Sequence, residues 1–199
     1  MRKLCCILSV VLALAGSPLL YAAAAPGGEI LVANFNTGEK PNDLGGDFGT
    51  WDKDPDDETQ GCQMSFVSDD ALGDKMGYSV RLDYDVDSPN PAYNGFWMKL
   101  NSLDATPYKA IRLWLKGDGE AGYPTRLKIE LKDRSNRPSP YILSGITDKW
   151  QEFTIPLDKF RRVEDWSRLN EFVAVFDDLN SRPKTGTVLI DQIRFTKEV

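Results

Sequence analysis

The chain has no histidine among its 199 residues, and that absence removes more chemistry than any other feature. Ser-His-Asp triads, Cys-His pairs and histidine-ligated zinc are all excluded. Cysteine is scarce: there are three, and Cys5 and Cys6 lie in an N-terminal apolar segment. Only Cys62 remains beyond that segment, so no intramolecular disulfide can staple the rest of the chain. Positive charge is in deficit, with 24 Lys plus Arg against 30 Asp plus Glu and a net charge of −6. An acidic surface disfavours nucleic acid and anionic membranes, whose phosphates need a basic patch. No long apolar run follows the first 25 residues, so no membrane span is expected in the mature form.

What is present begins with an export pattern. Arg2 and Lys3 precede a mostly apolar stretch from Leu4 to Leu20, followed by Tyr21-Ala22-Ala23-Ala24-Ala25. A positive start, an apolar middle and a run of small residues are the parts of a signal peptide. Gly16, Ser17 and Pro18 interrupt the apolar stretch, which argues against a retained transmembrane helix; the alternative is an uncleaved anchor. Residues 1–24 are expected to be removed, leaving residues 25–199 as one domain, secreted or periplasmic. That length can bury its own core.

Period-two alternation dominates the remainder. Residues 79–86 place Val80, Leu82, Tyr84 and Val86 on one face, and residues 111–116 do the same with Ile111, Leu113 and Leu115. Arg126-Leu127-Lys128-Ile129-Glu130-Leu131-Lys132 alternates charged and apolar residues without a fault. Further strands are expected at 150–157 and 187–195. The all-apolar run Phe172–Phe176 should lie mid-sheet with both faces covered. Turn clusters such as Lys116-Gly117-Asp118-Gly119 and Arg134-Ser135-Asn136-Arg137-Pro138 separate the strands. The best helical pattern, residues 163–169, is expected to form a single turn. Many short strands with almost no helix predict an all-β fold, an antiparallel β-sandwich or jelly roll.

The cluster Phe160-Arg161-Arg162-Val163-Glu164-Asp165-Trp166 lies between two of these strands. A flat ring beside carboxylates and guanidinium groups suits a sugar: the ring stacks on the C–H face while charged groups bond the hydroxyls. Trp97 follows Phe96 in a strand, so one ring must face each way. Trp114 alternates opposite Ile111, Leu113 and Leu115, pointing into a cleft or under a covering loop. Asp133 and Arg137 flank a loop that can reach a cleft rim. The charged face of Arg126, Lys128, Glu130 and Lys132 either lines a cleft floor or is a plain solvated surface. The Gly-rich segment 42–51 exposes Phe48 and Trp51, or else forms a surface loop with Trp51 folded back on the core.

The pattern Tyr93-Asn94-Gly95-Phe96-Trp97, then Trp150-Gln151-Glu152-Phe153-Thr154-Ile155-Pro156-Leu157-Asp158-Lys159-Phe160, then Val188-Leu189-Ile190-Asp191-Gln192-Ile193-Arg194-Phe195 resembles the family 11 carbohydrate-binding modules. The resemblance runs from about Ile30 to Phe195, and its closing strand motif recurs in related galactose-binding-like families, including complex I assembly factors. It implies a β-jelly roll that binds a β-glucan-like polysaccharide or oligosaccharide in an open cleft, without catalysis and as a monomer. It further implies ligand contacts from Asp165, Trp166, Arg162 and Tyr93, with Trp51 or Phe48 in place of an early-loop tyrosine. Asn170, Val173 and Phe176 stand where the family carries an acid, a histidine and a tyrosine, so the glucan specificity is not carried over with them. The family's structural calcium ion would fall to Asn34, Asn36 and Asp191. Only Asp191 of these keeps a carboxylate, so the site is either weaker or replaced by hydrogen bonds.

The expectation is a groove where Trp51, Tyr93, Trp97, Asp133, Arg137, Arg162, Asp165, Trp166, Asn170 and Phe176 converge on a saccharide. The alternative is a protein-interaction or assembly role on the same jelly roll. A glycoside hydrolase would require two facing carboxylates about 5–5.5 or 6.5–9.5 Å apart, and no motif here demands them.

Overall fold

The computed structural model describes residues 28–72 and 77–199; the expected signal peptide lies outside them. Eleven strands make up the described chain: β1 (Ile30–Ala33), β2 (Phe48–Asp52), β3 (Gly61–Val67), β4 (Ser79–Asp85), β5 (Tyr93–Leu103), β6 (Ala110–Gly117), β7 (Arg126–Asp133), β8 (Ser139–Ser144), β9 (Gln151–Pro156), β10 (Leu169–Asp177) and β11 (Thr185–Thr196). One sheet has the order β3-β4-β11-β6-β9, with β1 paired to the far end of β11. The other has the order β2-β5-β10-β7-β8. Every pairing is antiparallel, and the two sheets pack as a β-sandwich of the jelly-roll type.

The alternating runs decide which side chains enter the core. Val80, Leu82 and Tyr84 of β4, Ile111, Leu113 and Leu115 of β6, and Leu127, Ile129 and Leu131 of β7 are all buried. Strand β10 is the middle strand of its sheet, as its apolar run predicts. Phe172, Ala174 and Phe176 enter the core, and Val173 and Val175 on the other face are nearly as buried. Among the described residues no second layer of strands covers those valines. Val173 lies opposite Trp97 of β5 and Glu130 of β7 in the cross-strand register.

One expectation changes. The segment around Trp51 is an edge strand rather than a loop: Phe48 pairs with Met98 and is fully buried, so it cannot stand in for a binding ring. Asn42 fixes the turn before it, its Oδ1 accepting the N–H groups of Leu44 at 3.0 Å and Gly46 at 2.7 Å. Residues 163–169 hold a single turn at Trp166–Ser167, closed by the Arg168 N–H donating to the Asp165 carbonyl at 3.2 Å, but no helix; the described 3-10 turn is at Leu157–Lys159. The segment is fixed instead by Asp133 on β7, whose Oδ2 accepts the N–H groups of Glu164 at 2.8 Å and Asp165 at 3.0 Å.

Among the described residues no helix is long and apolar enough to cross a membrane. Cys62 is a free thiol, and burial, reinforced by Asp52 and Asp83, pushes its pKa up. A thiolate nucleophile is disfavoured there.

Candidate functional site: an aromatic groove on the open sheet face

The outward face of the β2-β5-β10-β7-β8 sheet carries the arrangement best suited to a ligand. Alternation along β5 sends Phe96 and Met98 into the core and Trp97 and Lys99 outward. Cross-strand register then places Trp97 opposite Gly49 and Trp51 opposite Gly95. Each indole therefore stands beside a position without a side chain. At Gly49 the effect is direct: a Cβ there would lie 3.5 Å from the Trp97 ring. Trp97 is also held by its Nε1–H, which donates to the Thr50 carbonyl at 3.3 Å. Tyr93 continues the aromatic row, its ring edge-on to Trp51 with centroids 5.7 Å apart. It is 43% exposed.

Trp51 and Trp97 form one side of a groove of about 420 Å³, whose other lining includes Val173, Glu130, Lys99, Lys132 and Glu171. Asn136 and Pro138, from the β7–β8 turn, complete the lining. The volume falls in the range of small-ligand sites.

The charges in the groove are arranged unequally. Glu171 accepts from Lys132 at 2.7 Å and from Lys99 at 2.5 Å. Burial works to raise the Glu171 pKa, but the two lysines outweigh it and hold the carboxyl below its ordinary value. Lys99 also lies 5.3 Å from the Trp97 ring centroid, a cation–π distance. Glu130 is different: among the described residues its carboxylate makes no ion pair and no hydrogen bond. Burial pushes its pKa up, against the opposing pull of Lys128 and Lys132. A half-buried acceptor without a partner beside a ring is suited to hydroxyl donors.

Of the expected site residues, Trp51, Tyr93 and Trp97 share this face; the others do not converge with them. Phe176 is fully buried and stacks on Tyr84 with centroids 4.2 Å apart and planes within 4°. Its position in β10 turns it inward, so it cannot touch a ligand. Asp133 is 2% exposed and acts as a brace: besides Glu164 and Asp165, it accepts the N–H of Ser135 at 2.8 Å. Burial opposes its ionisation, but these hydrogen bonds win and its pKa is lowered. Arg137 is turned to Glu164 and to the Arg162 carbonyl. Arg162 itself donates its backbone N–H to Ser139 Oγ at 2.9 Å. Asp165 bonds Ser167 at 2.6 Å and pairs with Arg134 at 3.3 Å. Asn170 sits where β10 bulges and meets Ser102 at 3.5 Å. Trp166 lines a separate groove at the end of the sandwich with Tyr108 and Leu157. Tyr93 sits where β5 begins, whereas Trp166 precedes β10, whose start pairs with the end of β5. The two rings therefore belong to opposite ends of the sheet, and the expected joint groove is corrected accordingly.

Lys99 and Glu171 are groove residues that sequence reasoning missed. Lys99 was within reach, since it lies two positions beyond Trp97 on the same strand face. Glu171 was not, because the bulge between Leu169 and Glu171 resets the alternation.

The three residues named for a metal are placed as follows. Asp191 is 1% exposed and accepts the N–H of Gln192 at 2.7 Å and that of Leu72. Burial pushes its pKa up to about 7, against those hydrogen bonds. Asn34 uses its Oδ1 to accept the Asn36 N–H at 3.0 Å. The Asn36 amide oxygen faces Gly77, 2.2 Å from where a Cβ would stand. Among the described residues no group of three or more His, Cys, Asp or Glu is placed to hold a metal ion.

No protein-family profile matches the sequence, and no curated protein matches it. Solved structures do match the fold. The family 11 carbohydrate-binding module of the cellulosomal cellulase Lic26A-Cel5E of Clostridium thermocellum is 17% identical, with a TM-score of 0.61 over 86% of this chain and 96% of that one. A family 11 module from the same organism, in complex with a β-1,3-1,4-mixed-linked tetrasaccharide, is 18% identical, with a TM-score of 0.62 over 88% and 99%. An exo-β-agarase matches with a TM-score of 0.63 and 11% identity over 85% of this chain but 25% of its own. The resemblance to family 11 modules therefore holds for the fold. The neighbours include binding modules and parts of enzymes alike.

Proposed function

We propose that this protein binds an uncharged, β-glucan-like polysaccharide in the groove on the β2-β5-β10-β7-β8 face, without cleaving it. The observation that carries the reading is the row Trp97, Trp51 and Tyr93 on an open sheet face, beside the unpartnered carboxylate of Glu130. Rings take the C–H faces of successive sugars, and Glu130 accepts from their hydroxyls. Lys99 and Lys132 against Glu171 and Glu130 leave the groove with no net charge, which suits a neutral chain. A neighbour of the same fold holds a mixed-linked tetrasaccharide, which supports the substrate class. Of the two carboxylates lining the groove, Glu171 is held by two lysines, leaving one free acid where glycoside hydrolysis uses two. Two or three such contacts, less the entropy of fixing a flexible chain, correspond to roughly micromolar to millimolar dissociation constants.

Affinity electrophoresis of residues 25–199 through gels containing mixed-linked β-glucan, xylan or agarose tests the proposal. Retardation by β-glucan is expected; free migration in every gel would favour a protein-interaction role on the same fold. Export fits a polysaccharide ligand outside the cell, and a mature N-terminus at Ala25 is its direct sign.

Calcium is a second, separable proposal. Asp191 is a buried carboxylate that meets no cation among the described residues and would gain from one. With Asn34 and Asn36 it would hold the ion, supplying a single charge where calcium sites usually collect several. The ion would tie β1 to β11. Added calcium is expected to raise the melting temperature of the wild type and leave Asp191→Asn unmoved. Equal melting of the wild type in calcium and in chelator would assign that junction to hydrogen bonds alone.

A further inference from the structure

The cluster around Trp166, singled out in the sequence, is not used by the sheet groove. It lines a second groove of about 450 Å³ at the end of the sandwich, with Tyr108, Lys109, Pro156, Leu157 and Asp158. The two grooves share no lining residue. We propose that this second groove is an independent saccharide site, so that each chain carries two. The choice of ligand rests on the saccharide reading of the first groove.

The argument begins with the ring. Trp166 is half-buried, packs partly against the core, and also faces the groove. Its indole N–H has no acceptor among the described residues. Lys109 and Asp158 are exposed, and neither makes an ion pair or a side-chain hydrogen bond among the described residues. A ring face, two sets of free donors and one free acceptor thus meet in one concavity. Among the lining side chains one positive charge, Lys109, stands with one negative charge, Asp158; Ala105, Thr106 and Val199 complete the lining without a charged side chain. A hydroxyl both donates and accepts, so a neutral sugar satisfies all of these groups, whereas an anion would satisfy Lys109 and be repelled by Asp158.

The site is also built before any ligand arrives. Asp133 holds the N–H groups of Glu164 and Asp165, just ahead of the ring. The Trp166 carbonyl accepts the Ala105 N–H at 2.8 Å, tying its strand of loop to the β5–β6 connection. Across the groove the Lys109 carbonyl accepts the Leu157 N–H at 2.8 Å, and the Lys109 N–H donates to Thr196 at 2.7 Å. Fixing these segments in advance lowers the entropic cost of binding. Two sites on one rigid body engage a long polymer more tightly than either alone, provided the chain can reach both.

The test is calorimetric titration of residues 25–199 with a β-1,3-1,4-mixed-linked tetrasaccharide, on wild type, Trp97→Ala and Trp166→Ala. Two equivalents are expected for wild type and one for each variant. On the soluble polymer, wild type is expected to bind about tenfold or more tightly than either variant. A single wild-type equivalent, lost in Trp97→Ala and kept in Trp166→Ala, overturns the second site and leaves the proposed function standing. A single equivalent lost only in Trp166→Ala overturns the sheet groove and keeps this one. No heat with any of the three proteins overturns both. Should Trp166→Ala fail to fold, the exposed pair Lys109→Ala with Asp158→Ala replaces it, with the same outcomes.

Discussion

Trp97→Ala is expected to weaken polysaccharide binding in the sheet groove at least tenfold while the protein stays folded. The ring contributes in two ways. Stacking on a sugar face is worth about 0.5–1.5 kcal/mol beyond the area it removes from water. Burying roughly 60 Å² of apolar surface against a sugar adds about 1.5 kcal/mol. Together these exceed the 1.4 kcal/mol that corresponds to tenfold. Removal of the ring also takes away the cation–π partner of the Lys99 ammonium, 5.3 Å from its centroid. Stability should fall by only about 1 kcal/mol, since the side chain stands on an open face and its neighbour Gly49 leaves nothing to collapse. Retardation in β-glucan gels and a circular-dichroism melt on the same preparation separate the two effects. Undiminished retardation with an intact fold would remove the aromatic row from the binding mechanism.

Phe176→Ala is expected to do the reverse, costing about 3–5 kcal/mol of stability. The ring is fully buried and stacked on Tyr84, whose hydroxyl donates to the Pro183 carbonyl at 2.7 Å. Removing it leaves a cavity between the sheets and frees the Tyr84 ring from its only stacked partner among the described residues. Against a typical total of about 5–15 kcal/mol, this lowers the melting temperature by about 6–20 °C. Binding per folded molecule should be unchanged at a temperature below the transition. An unchanged melt with lost binding would return Phe176 to the ligand site, where its alignment with the family's tyrosine had put it.

These two residues show how far sequence reasoning reached. Trp97 and Phe176 were both candidates, one because two adjacent rings in a strand must face opposite ways, the other by resemblance alone. The first argument uses covalent geometry and survives. The second assumes that a matched position keeps its orientation, but Phe176 alternates with Val175 and Asp177 in a strand whose inner face is fixed by Phe172 and Ala174. Asp133 and Arg137 were assigned to a rim because they flank a turn, yet an ionised side chain beside free N–H groups serves the backbone first. Asp133 therefore braces the loop that carries Trp166, and Arg137 is occupied with Glu164.

Local pattern settled strands β4, β6, β7, β9, β10 and β11, the all-β class and the inward or outward sense of the alternating side chains, because alternation is imposed by the chain on itself two residues at a time; the edge strand at Phe48–Asp52 was not legible that way. The exclusion of histidine chemistry needed nothing beyond composition. Which outward residues became neighbours was decided elsewhere. Trp51, Trp97, Glu130 and Val173 come from four strands scattered along the chain, and their meeting depends on the order β2-β5-β10-β7. That order is set by the burial of apolar surface over the whole core, a quantity no short segment contains. The separation of Trp166 into a groove of its own has the same origin: its loop joins one sheet to the other, so the packing of the two layers determines where its ring comes to rest.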